Sequence, residues 1–276
     1  FAIYSMNADG SNVTQLTFPN VAAFEEDFSP AWSPDGKQIA FVREDASDPA
    51  GEIYVMNADG SAATRLTFSP GNDLSPTWSK DGKRIAFVSA RGSADPAFAA
   101  SDAWDIYIMD AASGGNVVRI TDQPGADFDP SWSPDGKQIA FVSWRDSSPT
   151  GTTDLYAVTL DNLQVTRLTN EGADVAQPSW APGGKQIAFT GGDIEGGSTD
   201  IYVLTLDGLR ITRLTEGPAS PGLDESPTWS PDGKQIAFAS TRANERREIY
   251  TMSADGRAVT RLTNNSVEDL NPAWNR

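Results

Sequence analysis

The sequence predicts an all-β fold: a six-bladed β-propeller of four-stranded antiparallel blades, with one blade split between the termini and lacking a strand. Three observations point there. Pro-x-Trp occurs six times, with Trp at 32, 78, 132, 180, 229 and 274, so that successive spacings are 46, 54, 48, 49 and 45 residues, the period of propeller blades. Five of the six are followed by a Gly turn and an Ile-Ala-Phe strand, at 39–41, 85–87, 139–141, 187–189 and 236–238. An Ile-Tyr or Leu-Tyr strand and a final strand of the type Thr-Arg-Leu-Thr complete each unit.

The elements follow in order. Strand A ends at the Pro-x-Trp tryptophan. Ser33-Pro34-Asp35-Gly36 then reads as a tight turn, because Pro presets the second turn position and Gly supplies positive φ. Strand B, Lys37-Gln38-Ile39-Ala40-Phe41-Val42, is apolar with period-two character. Strand C carries Tyr54, Tyr107, Tyr156, Tyr202 or Tyr250 and ends in turns such as Asn57-Ala58-Asp59-Gly60. Strand D follows, as in Thr64-Arg65-Leu66-Thr67. A four-stranded meander has two apolar faces and buries them by stacking radially on its neighbours. The sixth repeat takes strand C from Phe1–Met6, strand D from Val13–Thr17 and strand A from Asn271–Trp274, with no strand B. Either the closing blade has three strands, or the chain is a piece of a longer protein; we favour the second. The whole of 1–276 is expected to be a single domain.

Composition narrows function. With 21 Lys and Arg against 38 Asp and Glu the net charge is −17, which repels phosphate backbones and excludes nucleic acid as a natural partner. Cysteine and histidine are both absent, which removes thiolate chemistry, the Ser-His-Asp arrangement and the commonest metal ligand. No apolar run approaches the ~20 residues that span a bilayer, so membrane insertion is not expected. The chain opens without Met or a signal peptide, which points to a processed or trimmed chain.

The run Pro-x-Trp-Ser-Pro-Asp-Gly-Lys-x-Ile-Ala-Phe, followed by Asp-Ile-Tyr and Arg-Leu-Thr, resembles the repeat of the TolB-like propellers, relatives of the WD-repeat propellers. The resemblance covers nearly the whole chain. It implies a protein-interaction scaffold with a protein partner, in a periplasmic or extracellular location.

Alternating strands place the A–B and C–D turns on one face and the variable B–C and D–A connections on the other, where binding is expected. Five residues before each Trp an acid recurs: Asp27, Asp73, Asp127, Asp224 and Asp269, with Asp174 one position out of register. On innermost strands these would surround a channel mouth, together with Ser29, Ser75, Asp129, Gln177, Ser226 and Asn271 two residues on. No cofactor is required, but an oxygen-only set suits a Ca²⁺ or Mg²⁺ ion at the channel. The alternative is that each Asp accepts hydrogen bonds within its own connection. Arg91, Arg145 and Arg242 after strand B, and Glu52, Asp105, Asp154, Asp200 and Glu248 before strand C, read as within-blade bridges at the loop base. The strand-D arginines at 65, 119, 167, 213 and 261 read as edge protection.

Trp104 and Trp144 break the repeat and fall in long B–C loops. With Phe98 and Arg145 they form the expected binding patch, or else fold inward as a satellite core. The expected function is therefore a noncatalytic binding module working through its loop face. Two alternatives stay open: a carboxylate-dependent lyase or hydrolase, or propeller module of a larger enzyme, and a structural subunit of an extracellular surface assembly.

Overall fold

A computed structural model describes residues 1–45, 48–92, 104–146, 151–170, 172, 174–193, 198–216, 222–243 and 246–275. It resolves into two compact units, residues 1–132 with 275–276, and residues 133–274. Strands β1 (Tyr4–Ser5) and β2 (Thr14–Gln15) form a two-stranded sheet. Five four-stranded sheets follow. The first holds β3 (Glu26–Trp32), β4 (Gln38–Asp45), β5 (Asp48–Asn57) and β6 (Thr64–Arg65). The second holds β7 (Asp73–Trp78), β8 (Arg84–Ser89), β9 (Asp105–Asp110) and β10 (Val118–Arg119). The third holds β11 (Asp127–Trp132), β12 (Gln138–Ser143), β13 (Asp154–Thr159) and β14 (Gln164–Arg167). The fourth holds β15 (Asp174–Trp180), β16 (Gln186–Asp193), β17 (Ser198–Thr205) and β18 (Arg210–Arg213). The fifth holds β19 (Asp224–Trp229), β20 (Gln235–Ser240), β21 (Glu248–Ser253) and β22 (Thr260–Arg261).

The expectation of six blades is corrected to five complete sheets and a strand pair among the described residues. Asn271–Trp274 is not a strand. The reason is pairing: in the complete sheets strand A is held by an Ile-Ala-Phe partner, as in Trp32↔Ile39 and Trp229↔Ile236, and the sixth repeat has none. Trp274 nevertheless keeps the repeat's packing, since its Nε1–H donates to Thr228 O at 3.1 Å, as Trp78 donates to Ala31 O at 3.1 Å.

The turns form as their residues dictate. Ser33 Oγ donates to Asp35 Oδ1 at 2.8 Å and accepts the Gln38 N–H at 2.9 Å, while Gly36 takes φ +69°. At Gly60, φ is +85° and a Cβ would stand 2.4 Å from Leu16 O, so a side chain would clash with the neighbouring strand pair. The core lies between successive sheets: Ile53, Val55 and Leu66 of the first pack with Trp78, Ile85 and Phe87 of the second. In the second unit Ile201 and Val203 pack with Trp229, Ile236 and Phe238.

Candidate functional site

Strand A carries a bulge in the first, second, fourth and fifth sheets, for instance between Leu74 and Thr77. At this point Ser29, Ser75, Asp129, Gln177, Ser226 and Asn271 all adopt left-handed backbone, φ +51° to +55°, a conformation that costs a non-Gly residue energy and needs external support. Side chains supply part of that support. Gln177 Oε1 accepts the Ser226 N–H at 2.9 Å and the Thr190 hydroxyl at 2.9 Å, and Ser226 Oγ donates to Asn271 Oδ1 at 3.1 Å.

Three of the acids two residues earlier, Asp27, Asp73 and Asp224, are built into ion pairs. Asp27, Asp73, Asp127 and Asp224 are all 0 % exposed. Asp27 takes both arms of Arg43, at 2.7 and 2.8 Å. Arg91 Nη2 donates to Asp73 Oδ2 at 2.8 Å, and Arg242 Nη2 to Asp224 Oδ2 at 2.8 Å with Ser240 Oγ on the other oxygen at 2.5 Å. Each arginine also lies over two rings: Arg91 is 4.9 Å from the Phe87 centroid and 5.1 Å from Tyr107, and Arg242 is 4.9 Å from Phe238 and 5.2 Å from Tyr250. Burial pushes the Asp73 carboxyl above its ordinary range, with the hydrogen bonds and Arg91 acting against that shift.

Asp174 and Asp269 stand apart. Asp174 pairs with Gly192 and accepts the Thr153 N–H at 3.1 Å, so Val175, opposite Gly191, occupies the position of the buried Asp. Asp269 is half-buried and accepts from Asn265 Nδ2 at 2.7 Å; burial raises its pKa. Among the described residues no group of three or more acidic side chains has a geometry that could hold a metal ion.

The expected bridge between the arginines after strand B and the carboxylates before strand C is corrected. Those carboxylates pair instead with strand D: Arg65–Glu52 at 2.7 Å, Arg119–Asp105 at 2.6 Å, Arg213–Asp200 at 2.5 Å, Arg261–Glu248 at 2.6 Å, and Arg167 with Asp154. Facing direction is the reason, because in the antiparallel register Tyr54 stands opposite Arg65 and its neighbour Glu52 lies within reach of that guanidinium. A threonine closes each set: Thr67 Oγ1 donates to Glu52 Oε2 at 2.5 Å and accepts the Ile53 N–H at 2.9 Å. The strand-D arginines are thus pairing partners besides lying at sheet edges.

Of the expected binding patch, Phe98 lies outside the described residues. Trp104 is half-buried, its ring 6.1 Å from Phe128, and its carbonyl accepts the Asp127 N–H at 2.8 Å. Trp144 is half-buried at the end of the third sheet's second strand. Beside it Arg145 Nε donates to Ser143 Oγ at 3.0 Å, with the guanidinium 5.0 Å over Phe141 and 5.2 Å over Tyr156. What the sequence reading missed are three highly exposed phenylalanines at D–A connections, Phe18, Phe24 and Phe68, at 76, 79 and 75 % exposure. The signal was present: Leu-Thr-Phe at 16–18 and 66–68 replaces a polar residue found at Asp122, Asn170, Glu216 and Asn264.

Comparison with known proteins agrees with the repeat. The Tol-Pal system protein TolB of Bordetella pertussis is 36 % identical over 157 residues, 56 % of this chain and 31 % of that protein. This chain therefore matches about a third of the length of that curated relative. The crystal structure of TolB from Acinetobacter baumannii superposes with a TM-score of 0.81 at 28 % identity, covering 99 % of this chain and 62 % of that one. An oligogalacturonate lyase in complex with manganese shares the fold alone, at 15 % identity and a TM-score of 0.62 over 95 % of this chain and 72 % of its own. The family model for the TolB beta propeller domain matches residues 20–101 and 95–276, and the chain belongs to that all-β propeller family.

Proposed function

We propose that this chain is a noncatalytic binding scaffold that engages a protein partner through its variable-loop face, in the manner of a Tol-Pal system component. The observation that carries the reading is the internal use of the periodic charges. Arginine and carboxylate pair with each other at Asp27, Asp73 and Asp224 and again at strands C and D, which leaves the non-repeating connections to make contacts outward. Family membership and the likeness to TolB support the same reading. A sequence with neither His nor Cys offers a hydrolase or lyase few groups to work with. We propose the periplasm as its location, from the TolB relatives, which lend no support to the extracellular alternative. Trp104 and Trp144 are the proposed anchors, because an aromatic side chain at the base of a variable loop is the usual hot-spot chemistry.

The test is a calorimetric titration of the chain with the Pal component of the relatives' Tol-Pal system. Saturable binding that Trp144→Ala or Trp104→Ala weakens by about tenfold or more supports the reading. No binding at high micromolar concentration overturns it.

A further inference from the structure

The D–A connection that enters the first four-stranded sheet differs from its counterparts. Asp27 follows Thr17 by ten positions and Asp224 follows Thr215 by nine, whereas Asp73, Asp127 and Asp269 follow Thr67, Thr121 and Thr263 by six. The extra residues form a short 3-10 turn, Val21–Ala23, tied down by Asn20. Asn20 Oδ1 accepts the Ala22 N–H at 3.1 Å, Asn20 O accepts the Ala23 and Glu25 N–H groups at 2.9 and 3.2 Å, and the Asn20 N–H donates to Glu25 Oε2 at 2.7 Å. This ordered loop turns Phe18 and Phe24 outward at 76 and 79 % exposure. A loop with so many internal bonds has no need of exposed phenyl groups for its own cohesion, and exposed aromatics on a preformed loop lose little entropy on binding.

Charge identifies what such a surface takes. Glu25 and Glu26 continue the loop, and Glu26 stands directly opposite Glu44 across the sheet, a like-charge juxtaposition that works against folding. Burial first, and the charge of Glu26 second, push the Glu44 carboxyl above its ordinary range. Both arms of the Arg43 guanidinium are turned onto Asp27, and of the three glutamates it is Glu25 whose charge that guanidinium attracts. The amino group of Phe1 lies 3.8 Å from Glu26.

Building on the binding reading above, we propose that the 18–26 loop and Glu44 form a docking surface for a cationic, aliphatic segment of the protein partner. Phe18 and Phe24 take its apolar side chains. Glu25, Glu26 and Glu44 take its lysines or arginines, which removes the repulsion the fold maintains there.

The probe is a short synthetic peptide alternating lysine and leucine, titrated calorimetrically beside one alternating lysine and serine. Wild-type protein is expected to bind the leucine peptide about tenfold more tightly than the serine peptide. Phe18→Ala/Phe24→Ala should abolish that difference, Glu26→Gln/Glu44→Gln should weaken both peptides and flatten their salt dependence, and Val259→Ala, an exposed position in the turn before the fifth sheet's last strand, should change neither. Melting temperatures verify that the variants fold, which the exposure of the replaced phenyl groups favours. Equal binding of the two peptides, indifference to the phenylalanine pair, or no binding of either overturns the inference. If the Pal titration succeeds while any of these occurs, the binding reading stands and only this surface falls; failure of both experiments removes both.

Discussion

The fourth sheet and the fifth solve the same position in opposite ways. In the fifth, Asp224 is fully buried opposite Ser240, and Arg242 reaches back to it across Phe238 and Tyr250. In the fourth, Val175 stands opposite Gly191, with Asp193 where the arginine would be. The Tyr202 ring fills the space instead, 3.0 Å from where a Cβ on Gly191 would lie, and its centroid is 5.6 Å from Phe189. In these two sheets the acid and the arginine are present together or absent together. The strand pair β1–β2 repeats the lesson at the other ion pair, where Ala2 and Gln15 replace the carboxylate and arginine seen as Glu52 and Arg65. Residues exchanged as pairs within one chain are partners of one another first.

The largest effect is expected from Arg242→Met, which strands Asp224 as a buried charge without its cation. Denaturant unfolding should show a loss of about 3–5 kcal/mol. Adding Asp224→Val to that variant copies the apolar solution of the fourth sheet and should recover most of the loss, to within about 1–2 kcal/mol of wild type. Recovery of less than half would mean that the pair is not interchangeable with apolar packing. Thr67→Val is expected to cost about 1–3 kcal/mol, since the Ile53 N–H loses its acceptor and Glu52 a donor in a buried site.

A smaller effect distinguishes Asp269, which among the described residues has no arginine partner. Its pKa is raised by burial, so its folded form holds the proton more firmly than the unfolded chain. The stability it contributes is present below the ordinary carboxylate value, near pH 4, and is lost as pH rises through the raised folded value. Asp269→Asn should therefore raise the melting temperature at pH 7 by about 2 °C and flatten the decline between mildly acidic and neutral pH. An unchanged pH profile would place the group in effective contact with solvent.

Much of the architecture was legible in the sequence because each strand carries its own mark: Trp for A, Ile-Ala-Phe for B, Tyr for C and Arg-Leu-Thr for D. The turn residues between them fix antiparallel neighbours. Which charge meets which was not legible. Arg91 is nearer in sequence to Asp105 than to Asp73, yet the strand register turns it back across the Phe87 and Tyr107 rings. The fate of Asn271–Trp274 was likewise a matter of pairing, because a strand without a ladder partner is not a strand however well its residues match the repeat. Exposed phenylalanines such as Phe18 read as ordinary apolar positions until the backbone shows them facing solvent.

The claim at the centre of this account is that the buried acids of strand A serve the fold, leaving recognition to the loops. Thermal unfolding of metal-stripped protein, with and without millimolar Ca²⁺ or Mg²⁺, tests it most directly, because an ion that binds the native state raises its melting temperature. The account predicts coincident curves for the wild type, and a lowered but equally ion-independent melting temperature for Asp73→Asn and Asp224→Asn. A rise on adding Ca²⁺ or Mg²⁺ that both substitutions abolish would contradict it and place a cation among those carboxylates.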